Sequence, residues 1–367
     1  MQKAVIAASA LLISSATATV ETLSNVLTNG TVTAEWTSSP STYLDGPKIS
    51  GPANDTTYDW WYFDVVSAAT NASTVVVIYN AGPDGFINTY YDGPLSASLT
   101  GTFANGTAYN LDLPATGGVI DYDQDGISLV WEGAGFSFVG SSLSESEATY
   151  VMTINSSDIG VQGTITWKSL APAHYPCSLN EDGASEVIMP HIGWANAVPD
   201  ATATVDLLFS DGTSLSFDDG IGYHDKNWGD QAFVDSASQW YWGHAHLGPY
   251  SIVWYDALDL AGQEYFAGYV AENGTVISAS CATNAVVVRP WGASSTYPPT
   301  LTTGIMQGLG MQFDLGNGTT FVANVTTGTI IIDITGYNRA RGTIEGGLDG
   351  GELYTGTALF EEFALIA

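Results

Sequence analysis

Short runs of β-branched and aromatic residues recur along this sequence, and no long segment shows helical apolar spacing with caps. The clearest runs are Ser73–Tyr79, Tyr150–Ile154, Gly163–Trp167, Ser251–Tyr255, Ala285–Arg289 and Thr329–Ile334. Between them stand turn pairs: Asp84-Gly85, Asn105-Gly106, Asp125-Gly126, Asp211-Gly212, Asn273-Gly274 and Asn317-Gly318. With 41 glycines, this pattern predicts an all-β chain of antiparallel barrels or sandwiches. A weak internal repeat sharpens the prediction. Asp59–Val66 leads to a strand ending Ile78-Tyr79-Asn80, and Gln239–His246 leads to one ending Trp254-Tyr255-Asp256. Two tandem β domains, 19–234 and 235–367, joined near residues 230–238, would generate such a repeat.

The start of the chain reads as a targeting signal over residues 1–18. Lys3 precedes an apolar run from Ala4 to Ile13, and small residues follow to Ala16-Thr17-Ala18. That apolar run is too short to span a membrane. A secreted or secretory-lumen chain is therefore expected, with no membrane anchor. Eight Asn-x-Ser/Thr acceptor sites agree with this: Asn29, Asn54, Asn71, Asn105, Asn155, Asn273, Asn317 and Asn324. In an oxidising compartment the only two cysteines, Cys177 and Cys281, are expected to pair, the alternative being two separate buried thiols. The net charge of −31 argues against nucleic acid or an anionic membrane surface as a partner. An acid-adapted surface is the simplest reading of it.

Function is most legible in Gly222–Asp230 and Trp240–His246, which gather three of the five histidines and three of the eleven tryptophans. Apolar aromatic walls beside titratable groups and an amide suit a pocket for a greasy ligand with a polar tip. Other constellations are less telling. Asp121–Glu132 fits the spacing of a calcium loop, but Gly117-Gly118 before it and the strand-like Ile127–Trp131 after it favour a β-hairpin. His244 and His246 share a face of any strand, and His224 lies nearby in sequence, yet no zinc pattern accompanies them. No metal site is expected. No G-x-S-x-G elbow is present, and acidic residues are too common to single out a glycosidase pair.

Three segments carry a family resemblance. Tyr58–Asp64 resembles the N-terminal aromatic-acid motif of the carotenoid 1,2-hydratase-like (hydroxyneurosporene synthase-like) superfamily, and Gly222–Gly229 resembles its central G-x-G-Y-x-D-x-N-W-G motif. Trp240–Asp256 resembles the strand pair opening its second domain. Fungal members include kievitone hydratase-like proteins and Diels–Alderases, and the secreted form is most similar to the hetero-Diels–Alderases of tropolone–sesquiterpenoid pathways. Lys226 departs from the histidine of many relatives.

The resemblance implies two lipocalin-like domains with a small apolar substrate between them and no cofactor. It points to a cycloaddition joining a tropolone- or polyketide-derived diene to a terpenoid alkene, after loss of water to a quinone methide. Hydration of a prenyl alkene is the alternative, and a non-catalytic carrier a second one. Trp60, Trp61, Tyr62, Tyr223, Trp228, Trp240, Trp242, His244, His246 and Trp254 are the expected walls. Asp59, Asp64, His224, Asp225, Lys226 and Asn227 are the expected acid–base or polarising groups. On the first aromatic strand, Asp59, Trp61 and Phe63 share one side and Trp60, Tyr62 and Asp64 the other, so only one set can line a pocket.

Overall fold

The computed structural model describes residues 18–39, 43–86, 91–144, 147–316 and 318–365. Most of residues 1–18, expected to be a targeting segment, and Asn317 lie outside these residues. Almost every regular element is a strand. The first thirteen are β1 (Thr19–Ser24), β2 (Tyr58–Ser67), β3 (Ser73–Ala81), β4 (Leu95–Thr102), β5 (Ala108–Pro114), β6 (Gly117–Asp123) and β7 (Gly126–Glu132), then β8 (Phe136–Ser141), β9 (Thr149–Ser156), β10 (Val161–Ser169), β11 (Val187–Met189), β12 (Ile192–Phe209) and β13 (Ser214–Gly229). They form one antiparallel sheet in the order β1-β6-β7-β8-β9-β10-β12-β13-β2-β3-β4-β5, with β11 beside β12. After a 3₁₀ turn at Phe233–Asp235 come β14 (Ala237–Leu247), β15 (Tyr250–Asp259), β16 (Glu264–Glu272), β17 (Thr275–Ser280), β18 (Val286–Trp291), β19 (Gly308–Asp314), β20 (Thr320–Ile334), β21 (Tyr337–Leu348) and β22 (Tyr354–Ala364). Their order is β17-β16-β15-β14-β22-β21-β20-β19-β18.

Both sheets curl until strands far apart in the ladder share a core. In the first, Trp61 of β2 meets Trp131 of β7 at 6.1 Å between ring centroids, and Phe63 meets Phe138 of β8 at 5.0 Å. In the second, Asp256 of β15 accepts hydrogen bonds from the Val288 amide and the Arg289 guanidinium of β18, both at 2.8 Å. A third apolar cluster joins the two sheets, with Tyr58, Trp60, Tyr62, Trp194 and Tyr223 from the first against Trp240, Trp242, Tyr255, Leu359 and Phe363 from the second. The architecture is thus two tandem barrel-like domains. The repeat noted in the sequence corresponds to the β2–β3 and β14–β15 hairpins, and β2 and β14 both contribute to the seam.

Local chemistry explains several connections. Asn273 and Gly274 both take positive φ, 48° and 75°, which closes the tight β16–β17 hairpin. Asp123 and Gly126 pair across the β6–β7 hairpin, and the Asp123 carboxylate accepts the Asp125 amide at 2.8 Å. The calcium-like spacing of Asp121–Glu132 is therefore a β-hairpin. Gly222 is a strand glycine rather than a turn glycine: a Cβ there would stand 2.4 Å from the Trp167 ring. Of the acceptor asparagines within the described residues, Asn29, Asn71, Asn105, Asn155, Asn273 and Asn324 are exposed, and Asn54 is half-buried.

Cys177 and Cys281 form a disulfide across a sequence separation of 104. It ties the segment after β10 to the end of β17, and so links the two domains. A loop of that length contributes about 5 kcal/mol in the chain-entropy model. Replacing both cysteines by alanine should lower stability by that order in denaturant titrations, and an unchanged midpoint would contradict the assignment.

Candidate active site

The central motif is the last part of β13, which pairs along its length with β2. The register sets Tyr223 opposite Asp64, Asp225 opposite Tyr62 and Asn227 opposite Trp60. The intervening residues pair His224 with Phe63, Lys226 with Trp61 and Trp228 with Asp59. Successive strand residues point to opposite faces, so the motif splits into two sets.

One set faces the core of the first domain. Lys226 Nζ donates to Asp59 Oδ1 at 2.7 Å and stands 3.3 Å from the Trp61 ring centroid. Burial pulls the Lys226 ammonium below its ordinary range, with the Asp59 charge opposing. Asp59 Oδ2 also accepts the Lys48 amide at 2.8 Å. His224 stacks on Phe63 at 3.7 Å, with Nε2 on Asp45 Oδ2 at 2.9 Å and Nδ1 on the Tyr62 carbonyl at 2.8 Å. The indoles of Trp61 and Trp228 donate to the carbonyls of Asp45 and Glu35. Asp59, Trp61, His224, Lys226 and Trp228, expected in the pocket, thus point away from it and hold this domain together. Trp254 lies in the second domain's core. His246 sits at the edge of the seam, where a 2.7 Å hydrogen bond with Asp200 holds its imidazole above the ordinary range.

The other set faces the second domain and borders a chamber. Its walls include Trp60, Tyr62, Tyr79, Phe86, Asp225 and Asn227 from the first domain, and Trp240, Trp242, Tyr337, Arg339, Glu361 and Phe363 from the second. Tyr223, Asp64 and His244 stand immediately behind these residues. His244 Nε2 contacts both Asp64 oxygens, at 2.9 and 3.1 Å, and its ring stacks on Tyr223 at 4.6 Å. This pair bridges the domains without lining the chamber. The two histidines of the H-x-H segment engage different carboxylates, and no cluster of three metal-ligating side chains exists among the described residues.

Asp225 is the chamber's distinctive group. Trp194 Nε1 and the Tyr223 hydroxyl both donate to its Oδ2 at 2.8 Å, while Oδ1 has only a long contact, 3.4 Å, from the Asn227 amide nitrogen. Desolvation raises its pKa to about 8, against the opposing pull of those two donors. Because Oδ2 is occupied as an acceptor, Oδ1 is the oxygen left to carry the proton. On the opposite wall Arg339 Nε and Nη2 donate to Glu361 Oε2 at 3.2 and 3.1 Å, and the Tyr337 hydroxyl donates to the same oxygen. Burial still raises the Glu361 pKa, with Arg339 opposing.

The reading from the sequence did not include Arg339, Glu361, Trp194, Tyr337 or Phe363. Two signals pointed to the first pair: Arg339 is one of only seven basic residues, and Phe360-Glu361-Glu362-Phe363 places carboxylates within an apolar strand. Their pairing across β21 and β22 depends on register, which the sequence does not display.

A family model described as Diels–Alderase-like matches residues 15–291, three quarters of the chain. The chain belongs to the Diels–Alderase-like family. Two relatives of this Diels–Alderase-like chain are 41% identical to it. The quinolone epoxide rearrangement protein asqO of Emericella nidulans aligns over 92% of this chain and 91% of its own length. The quinolone epoxide rearrangement protein penF of Penicillium thymicola aligns over 87% and 88%. The Diels–Alderase ucsH of an Acremonium species is 27% identical over 65% of this chain and 59% of its own. The crystal structure of CghA with Sch210972 shares the fold, with a TM-score of 0.76 at 17% identity, covering 95% of this chain and 99% of that one. Like its relatives, this member of the Diels–Alderase-like family is an enzyme.

The division of the motif yields a direct test. Lys226→Ala leaves the Asp59 carboxylate buried without its cation, which should cost about 3–5 kcal/mol. Equilibrium unfolding reads this loss, and wild-type stability in the variant would contradict a structural role for the pair.

Proposed function

We propose that this enzyme catalyses the acid-assisted rearrangement of an epoxide carried by a quinolone-type substrate. The proposal is carried by a buried aspartic acid, Asp225, at the wall of an aromatic-lined chamber, with neutral donors and no cation on its carboxyl, where desolvation raises its pKa to about 8. The two relatives at 41% identity support the choice of reaction. It replaces the tropolone-derived cycloaddition expected from the sequence as the leading reading.

In the proposed step, Asp225 Oδ1 gives its proton to the epoxide oxygen as a carbon–oxygen bond breaks, and that bond's electron pair stays on oxygen. The electron-poor carbon is filled by a migrating group or by a nucleophile within the same molecule. The proton released from the product returns to the Asp225 carboxylate. Atoms balance without a co-reactant, so the net change is an isomerisation. Rings of Trp60, Tyr62 and Trp240 supply electron-rich surface for the developing cation. A general acid works best with a pKa near the operating pH, and burial beside Glu361 and Asp64 moves Asp225 into that range.

A [4+2] cycloaddition is the second reading, favoured by the aromatic rings in the lining and by the Acremonium relative. It needs two apolar partners held in one geometry, with a hydrogen-bond donor on a carbonyl.

Asp225→Asn keeps an acceptor for Trp194 and Tyr223 but has no acidic proton. Its kcat on an epoxide-bearing quinolone should fall at least about a hundredfold, with binding, followed by tryptophan fluorescence, retained. The wild-type rate should decline as pH rises through about 8, as the acid form is lost. Stability should follow the same sense. Asp225 keeps a proton in the folded state that the unfolded chain releases near its ordinary value of about 3.9. Stability from this group is complete below that value and is lost as pH climbs to about 8. A variant with full activity, or a rate that rises across that window, would contradict the proposed acid.

A further inference from the structure

The chamber wall contains an acceptor that the fold leaves unused. Asn227 is buried, its side chain lines the chamber, and its Oδ1 has no hydrogen-bond partner. An unpaired buried carbonyl costs about 1–3 kcal/mol, which an occupant donating an N–H or O–H would recover.

The geometry narrows the donor. The Asn227 amide nitrogen already reaches toward Asp225 Oδ1 at 3.4 Å. That contact orients the carboxamide and occupies one of its two N–H bonds. A carboxamide carries one N–H beside its carbonyl, so the edge that holds the unpaired Oδ1 offers a donor and an acceptor in parallel. Its complement is an amide whose own N–H and C=O lie on the same side. Open-chain secondary amides are trans, and the cis form costs about 2.5–4 kcal/mol. A ring amide is cis by construction. Trp60 is the cross-strand neighbour of Asn227 and lines the same chamber, so a flat ring held by its amide edge meets an aromatic surface.

We infer that Asn227 is a specificity-determining residue that reads the paired N–H and C=O edge of a lactam ring in the substrate. The inference rests on the quinolone reading of this chamber and adds which part of the substrate is recognised and by what. Because Asp225 and Asn227 are two residues apart on one face of β13, the lactam edge and the reacting oxygen lie side by side.

The test compares two probes on the wild-type enzyme: an epoxide-bearing quinolin-2(1H)-one and its N-methyl counterpart, which lacks the donor and blocks the edge. The methylated probe should show a KM, and a Kd from tryptophan fluorescence, raised at least about tenfold, with kcat changed far less. Asn227→Leu should bring the two probes to the same affinity. Equal handling of both by the wild type overturns the inference, whether or not the leucine variant folds. If neither probe rearranges faster than in buffer, the epoxide reading fails. The binding ratio then decides lactam recognition on its own.

Discussion

The fold and the site both depend on one strand pair that is buried on both faces. All ten residues of β2 are buried, and so are the last eight of β13 beside them, from Gly222 to Gly229. A half-exposed strand needs only one apolar face. This pair needs two, and polar groups on either face must find partners or remain unsatisfied at a cost. The face toward the first domain satisfies them with ion pairs and indole-to-carbonyl hydrogen bonds. The face toward the second domain leaves some polar atoms for a ligand, among them Asn227 Oδ1 and the Tyr62 hydroxyl.

This division also sets the electrostatics. Two acidic side chains three positions apart in the ladder, Asp59 and Asp225, meet opposite fates. Asp59 has Lys226 at 2.7 Å. Asp225 has no cation at hydrogen-bond distance, only two neutral donors on Oδ2 and the long Asn227 contact on Oδ1, and desolvation raises its pKa to about 8. A buried carboxyl without a counter-ion is costly to ionise, and that cost makes a useful acid near neutral pH. The chamber's cation, Arg339, is engaged by Glu361 on the far wall.

Much of this was legible in the sequence. Turn pairs and alternating runs gave the all-β class, and the repeated aromatic strands corresponded to two seam hairpins. The motif itself named Trp60, Tyr62, Asp225, Asn227, Trp240 and Trp242, which all line the chamber. Period-two alternation also separated the two faces of β2, but nothing in a single strand says which face meets the partner domain. Lys226 illustrates the difficulty: a rare cation between two chamber residues looks catalytic until the register with Trp61 is known. β12 was obscured because Pro199 lies within it, where the ladder to β13 shifts register between Val198 and Ala201. Glu361 and Arg339 were hidden by long-range pairing.

Everything proposed for the chamber turns on Asp225 as an acid held neutral by the fold. Carboxyl ¹³C NMR of aspartate-labelled enzyme, with the signal assigned by its loss in Asp225→Asn, measures this directly. A titration midpoint near 8 is the expected result. A midpoint in the ordinary aspartate range, near about 4, would contradict the account.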